Sequence, residues 1–319
     1  MKNILFLFTL FISITSFAKS KTSFVESEIV LKTKTGDIFG SLTVPSKNAS
    51  NLIAIIVAGS GPTDRNGNNP LGVNSDTYKM IAEQLSLNGI SCLRYDKRGI
   101  SKSKEAAKTI EGDMTLDKYV DDLVDWVNFI KTDTRFSKII IIGHSEGSLI
   151  GMLAAQKSQV DKYISIAGPG RTLDVLLKEQ LGKQLLPQEV KDQTSVVLDS
   201  LKNGHKVTNY PILLGSLFNP SIQPYIISML KYDPAVEIGK VKVPVLIIQG
   251  TTDMQVLIAD SDILHKGNPS AEYKIFENMN HVLKNVDSDI EKNKASYTNP
   301  KLPLKKGLMK EINTFILKQ

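Results

Sequence analysis

The chain has 319 residues, 41% of them hydrophobic and 23% charged, with a net charge of +6. That composition is ordinary for a folded globular protein, excludes a low-complexity or disordered chain, and leaves room for one large α/β domain or two small ones. A single cysteine, Cys92, excludes an intramolecular disulfide and a cysteine-cluster metal centre.

Lys2, an apolar run over 4–17 and the small-x-small sequence Ser16-Phe17-Ala18 predict an export signal, residues 1–18, removed near Ala18. The run is too short and wrongly flanked for a membrane span, and no other stretch reaches spanning length. The mature chain, 19–319, is expected to be a single domain, periplasmic or secreted, with no stable membrane span.

Residues 28–33 and 37–44 alternate as a hairpin should, with Thr35-Gly36 in the turn. The runs 51–57, 90–95, 138–142, 163–167 and 243–249 are almost wholly apolar, as parallel strands covered on both faces are, and 272–276 is the last strand candidate. Cys92 falls inside one of these runs, where a buried, inert thiol is expected. Helical patterns lie between them at 76–87, 115–130, 147–156, 256–265 and 304–317. This alternation predicts an α/β fold with a mostly parallel central sheet and helices on both faces. Between about 171 and 237 no strand is predicted, only helical patterns at 173–181 and 190–201 and an apolar run at 225–230, so a helical lid inserted after strand 6 is expected. Ile212, Leu213, Leu214, Leu217, Phe218, Ile226, Ile227 and Met229 make that lid apolar, suited either to a small hydrophobic acyl group or to packing the lid on the core.

Most lysines are scattered singly. The denser run from Lys97 to Lys108 contains Glu105 and no aromatic residue, and is expected to be a solvated loop rather than a nucleic-acid or membrane surface.

The chemistry is concentrated in Gly143-His144-Ser145-Glu146-Gly147, a G-x-S-x-G between a predicted strand and a predicted helix. That context marks a nucleophile elbow: a serine on a sharp turn, with small residues two positions away on each side so that the backbone can pass close by. A serine hydroxyl needs a base in reach, itself held by a carboxylate, in the chain order Ser, acid, His. Of four histidines, His144 should point away from the site, His205 lies in a polar loop, and His265 ends a helix. His281, in the loop after the last strand, is the expected base. Asp253, in the turn after the run 243–249, is the expected acid, and could also cap the helix beginning at Met254. Asp96 also ends a strand but precedes the serine, and should pair locally with Arg98 or the loop backbone. The oxyanion of the tetrahedral intermediate would be bound by the backbone N–H of Glu146 and by one from the loop at 58–67, Ser60 first and Gly61 second. That loop matches neither a Walker loop nor a dinucleotide fingerprint, there is no H-E-x-x-H, and no cofactor or metal is expected.

Five stretches carry a family resemblance: GSGPTDRNG at 59–67, LRYDKRGIS at 93–101, IIGHSEGS at 141–148, QGTTDMQV at 249–256 and NMNHVLK at 278–284. In this order the chain resembles α/β-hydrolase-fold serine hydrolases, and more closely their exported bacterial esterases and serine aminopeptidase-like proteins. The resemblance implies the α/β-hydrolase fold, Ser145 as nucleophile, Asp253 as acid, His281 as base, Ser60 and Glu146 as oxyanion donors, and a helical cap between the sixth and seventh strands. Many relatives open the first loop with His-Gly, where this chain has Ala58-Gly59. The expected activity is hydrolysis of a small-molecule carboxylic ester through an acyl-enzyme. The alternatives are cleavage of a short peptide or amide, for which Glu179 or Asp174 could hold the substrate ammonium, and a non-catalytic ligand-binding protein on the same fold.

Overall fold

The computed structural model describes residues 23–107 and 114–318; the expected export signal and Lys108 lie outside them. Eight strands form one sheet: β1 (Phe24–Thr33), β2 (Gly36–Pro45), β3 (Leu52–Val57), β4 (Ser91–Tyr95), β5 (Lys138–His144), β6 (Lys162–Ile166), β7 (Val245–Gly250) and β8 (Glu272–Phe276). Their order across the sheet is β1-β2-β4-β3-β5-β6-β7-β8. The hairpin β1–β2 pairs antiparallel, β2 pairs antiparallel with β4, and every later pairing is parallel.

Alternate residues of the all-apolar strands serve opposite cores. Ile53, Ile55, Leu93, Ile139, Ile141 and Ile247 face helices α2 (Leu116–Lys131), α3 (Glu146–Lys157), α8 (Pro234–Lys240) and α9 (Ile258–Gly267). Ala54, Ile56, Cys92, Ile140, Ile142 and Ile248 face α1 (Thr77–Leu87) and α11 (Leu308–Leu317). This is why the strands show no polar alternation: neither face meets water. Cys92 is fully buried, and burial pushes its thiol up to about 12, consistent with an inert side chain.

Between β6 and β7 the described chain forms helices and loops but no strand: α4 (Leu173–Gly182), α5 (Gln188–Lys202), α6 (Gly215–Phe218), α7 (Gln223–Leu230) and α8. This insertion has a core of its own, in which Leu181, Leu198, Leu201, Leu214, Phe218 and Leu230 are buried together. The apolar residues singled out in it divide by role. Leu214 and Phe218 pack that core, Ile212 and Leu213 are exposed, and Leu217, Ile226 and Met229 line a cavity. Among the described residues no helix is long and apolar enough to cross a membrane.

The basic run at 97–108 is not a solvated loop at its start. Lys97 and Arg98 are buried, and the Arg98 guanidinium meets the Asp122 carboxylate on α2 at 2.5–3.0 Å. Asp96 therefore pairs not with Arg98 but with Arg65, through the Arg65 backbone N–H at 2.8 Å and its guanidinium at 2.8 and 3.1 Å, and it accepts the loop backbone N–H of Lys102 at 3.3 Å, as expected. Lys102 and Lys104 are exposed, as expected for the remainder. Elements too short to show a period also emerge: a two-residue ladder of Asn68–Asn69 with Val73–Asn74, a 3-10 segment Ser101–Ala107, and α10 (Ile290–Ser296).

Trp126 of α2 is among the largest fully buried side chains and stacks at a tilt on Tyr95 of β4. Trp126→Ala should cost about 3–5 kcal/mol by the usual penalty for emptying an aromatic core site, measurable by urea unfolding.

Candidate active site

Register brings the strand ends together. Val57 pairs with Gly143, His144 with Ile166, Ile166 with Ile248, and Gly250 with Phe276. The loops that follow β3, β5, β7 and β8 therefore leave the same edge of the sheet, and they carry Ser60, Ser145, Asp253 and His281.

Ser145 sits between β5 and α3 with φ 55° and ψ −126°. Positive φ is uncommon for any residue bearing a Cβ and costs of order 1–3 kcal/mol, so its neighbours must hold it there. The closeness of the packing shows how: a Cβ on Gly147 would lie 2.2 Å from the Val57 carbonyl oxygen, and one on Gly143 would lie 2.3 Å from that of Gly147. Both glycines are sterically required, which accounts for their spacing about the serine. The Ser145 N–H donates to the Ile166 carbonyl at 3.0 Å, tying the turn to β6. The Ser145 side chain lines the cavity and has no hydrogen-bond partner among the described residues.

His281 and Asp253 meet as expected, with Nδ1 of the imidazole 2.8 Å from Oδ2 of the carboxylate. Both residues are buried. The Asp253 Oδ2 also accepts from Gln249 Nε2 at 3.2 Å, and its Oδ1 accepts the N–H groups of Gln255 at 2.8 Å and Val256 at 3.0 Å. Burial works against ionisation of Asp253, but the adjoining imidazole and these donors outweigh it and hold the carboxyl below the usual carboxylate range. The two backbone bonds cap a turn rather than a helix, since α9 begins only at Ile258.

His144 points away from the cavity but is not idle. Its Nε2 lies 2.8 Å from the His281 carbonyl oxygen and its Nδ1 lies 2.8 Å from the Tyr78 hydroxyl, which in turn accepts the Gly59 N–H at 3.0 Å. A carbonyl can only accept, so Nε2 of His144 carries the proton and Nδ1 accepts from Tyr78. One directional chain thus joins the loop after β3, helix α1, the elbow and the loop after β8. Burial, then the neighbouring His281, lower the His144 pKa to about 3. The ring is neutral at working pH, as the chain requires. Thr77 adds a second tie from α1, donating to the Val282 carbonyl at 2.9 Å. Sequence reading had no signal for Tyr78, whose role depends on a partner 66 positions away.

The cavity over Ser145 has a volume of about 670 Å³. Its walls are Leu173, Leu176 and Leu177 of α4, with Leu217, Ile226 and Met229 from further along the insertion; Ser60, Gly61, Lys97, Ser145 and Glu146 form its polar end. Ser60 and Glu146, the expected donors, therefore flank Ser145. Their N–H groups have no partner among the described residues, and that of Glu146 opens the first turn of α3, where the positive end of the helix dipole points at the site. Glu179 and Asp174 do not line this cavity. Glu179 pairs with Arg171 and Lys183, and Asp174 with Lys202. Among the described residues no cluster of three or more His, Cys, Asp or Glu side chains could hold a metal ion.

The folded pKa of His144 lies below the unfolded value of about 6.5, so the stability it contributes is present above that value and is lost as pH falls toward about 3. The wild-type Tm should therefore fall between pH 7 and pH 5.5, above the carboxylate range. His144→Gln, which cannot titrate, should start lower at pH 7 but lose less over the same interval.

A family model described as Serine aminopeptidase, S33 matches residues 71–185. Esterase EstD of Thermotoga maritima is 28% identical over 267 residues, covering 82% of this chain and 60% of the esterase, so the chain spans three-fifths of that relative's length. Among solved structures, Est1E of Butyrivibrio proteoclasticus with ferulic acid bound matches at a TM-score of 0.55 and 17% identity, over 85% of this chain and 96% of that one. Proline iminopeptidase of Mycobacterium smegmatis matches at 0.59 and 15%, over 91% and 97%. The sheet order and these likenesses agree on the α/β-hydrolase fold, and the family model and the esterase relative are the sequence similarities that point toward serine-hydrolase chemistry.

Proposed function

We propose that the protein is a carboxylesterase acting through a covalent acyl-enzyme. Ser145 Oγ attacks the ester carbonyl carbon while Nε2 of His281 takes its proton. Asp253 holds Nδ1–H of the imidazole, fixing the tautomer and stabilising the imidazolium that forms. The carbonyl oxygen becomes an oxyanion bound by the N–H groups of Ser60 and Glu146. Collapse expels the alcohol, protonated by His281, and leaves the acyl group on Ser145. His281 then takes a proton from water, which attacks the acyl-enzyme and releases the acid.

The observation that carries this reading is a serine held at positive φ on the cavity wall, at the strand edge where a buried, hydrogen-bonded Asp253–His281 pair also emerges. A bare strand–helix turn has no need of such a backbone, and a simple binding pocket has no need of an imidazole oriented by a carboxylate.

Ester cleavage is favoured over peptide trimming by the cavity's charges. A peptidase that recognises a free amino terminus needs a carboxylate for the ammonium. Glu146 offers one at the cavity, but it is bound by Lys97 at 2.8 Å, and Glu179 and Asp174 are engaged elsewhere. The apolar walls suit an acyl chain of short to medium length. The amidase reading keeps the support of the proline iminopeptidase likeness, and competes through the same residues. Export is part of the proposal: cleavage near Ala18 would deliver the enzyme to the periplasm or medium, and N-terminal sequencing of the mature protein tests it.

Purified protein should hydrolyse p-nitrophenyl esters, with a preference within the acetyl-to-decanoyl series for uncharged, apolar acyl groups. Ser145→Ala should lower kcat by a factor on the order of 10⁴ or more, and Asp253→Asn by roughly 10⁴ with KM little changed. Retention of wild-type turnover by Ser145→Ala, or faster release of p-nitroaniline from aminoacyl anilides than of p-nitrophenol from matched esters, contradicts the proposal.

A further inference from the structure

Lys97 is the most deeply placed charge at the cavity, 2% exposed at the end of β4. Its ammonium donates to the Gly59 carbonyl at 2.8 Å and to Glu146 Oε1 at 2.8 Å, and stands 4.9 Å from the centre of the Tyr119 ring. Two hydrogen bonds and a nearby ring face thus engage the ammonium inside the protein, rather than leaving it a bare cation. The two groups it grips belong to the two backbone segments that carry the expected oxyanion donors.

Gly59 C=O and Ser60 N–H are one peptide unit. In a trans peptide they point in opposite directions, and no cis bond occurs among the described residues. Holding the carbonyl on Lys97 therefore fixes the plane of that unit and turns the Ser60 N–H the other way. Gly59 is restrained on its other side too, since its own N–H donates to Tyr78. A Cβ on Gly59 would lie 3.1 Å from Cβ of Ser145, so this peptide passes directly against the elbow. The second grip, on the Glu146 carboxylate, ties the first residue of α3 to the same ammonium. One side chain thus bridges the two segments that carry the donors, and its charge polarises the Gly59–Ser60 peptide in the sense that strengthens the N–H.

We propose that Lys97 is a positioning residue of the oxyanion hole, acting through the Gly59–Ser60 peptide and the Glu146 side chain and touching neither substrate nor the reacting atoms. The assignment rests on the acyl-transfer reading above. It also explains the Lys97–Glu146 pair, which that reading otherwise leaves unused: a buried ion pair is a poor source of stability but a good source of geometry.

The test compares wild type, Lys97→Met, Glu146→Gln and the double variant Lys97→Met/Glu146→Met with a p-nitrophenyl ester and with a trifluoromethyl ketone of matched acyl chain. Ser145 Oγ adds to the ketone carbon, its proton passes to His281, and the carbonyl oxygen becomes an anion that needs the same two donors. The double variant removes both charges together, so that no orphaned carboxylate stays buried, and its folding is verified by Tm. Lys97→Met and the double variant should lose roughly 10–100-fold in kcat, with KM within about twofold, and weaken ketone binding by the same factor. Glu146→Gln, which leaves Lys97 an uncharged and weaker acceptor, should lose kcat and ketone affinity together, by a smaller factor than Lys97→Met. Wild-type kcat and ketone affinity in the folded double variant, or a loss confined to KM, overturns the assignment alone. Absence of Ser145-dependent hydrolysis in the wild type overturns the acyl-transfer reading, and this assignment with it.

Discussion

Everything at this strand edge depends on one unfavourable backbone conformation being held in place. Ser145 stands at positive φ, and the turn can adopt that geometry only because nothing but hydrogen projects from Gly143 and Gly147 where β3, β5 and α3 converge. The strain is modest against the burial of the eight-stranded sheet around it, which faces a hydrophobic core on each side. A rigid sheet with helices on both faces is what allows a strained turn to persist, and the turn is what lifts the hydroxyl clear of the sheet into the cavity.

A second layer of polar contacts carries that rigidity outward. The chain Gly59–Tyr78–His144–His281 runs beneath the site and links three loops that are far apart in sequence. Its direction is fixed by chemistry, since the terminal carbonyl can only accept and burial keeps His144 neutral. On the other side, Lys97 closes Gly59 onto Glu146. Gly59 is gripped by Tyr78 through its N–H and by Lys97 through its C=O. Two buried polar systems thus converge on the residue beside Ser60, which is unusual attention for a glycine unless its peptide must be aimed.

How much of this was legible in the sequence follows from which interactions are local. The strands 51–57, 138–142 and 243–249 could be read because double-sided burial writes an unbroken apolar run. The helical insertion was visible because strand patterns stop at about 171 and resume only at about 243. Ser145, His281 and Asp253 could be singled out as candidates because each follows a strand end and because few histidines compete. The Asp253–His281 contact could not be read, since it depends on register. Lys97 illustrates the limit most sharply. In a run of basic residues it looks like solvated surface, and only the approach of Gly59 and Glu146, 38 and 49 positions away, makes its burial tolerable. Asp96 and Arg98 were read only in part: Asp96 does accept a loop backbone N–H, from Lys102, but the adjacent opposite charges do not pair, and each finds a distant partner in Arg65 and Asp122. Asn68–Asn69 and α10 are too short to impose any period.

The most direct measurement is a crystal structure of the protein after reaction with a fluorophosphonate ester. Phosphorus is expected bonded to Ser145 Oγ, with a phosphoryl oxygen about 3 Å from the N–H groups of both Ser60 and Glu146 and the His281 imidazole still on Asp253. An adduct on any other residue, or one whose phosphoryl oxygen is turned away from both donors, would contradict that expectation.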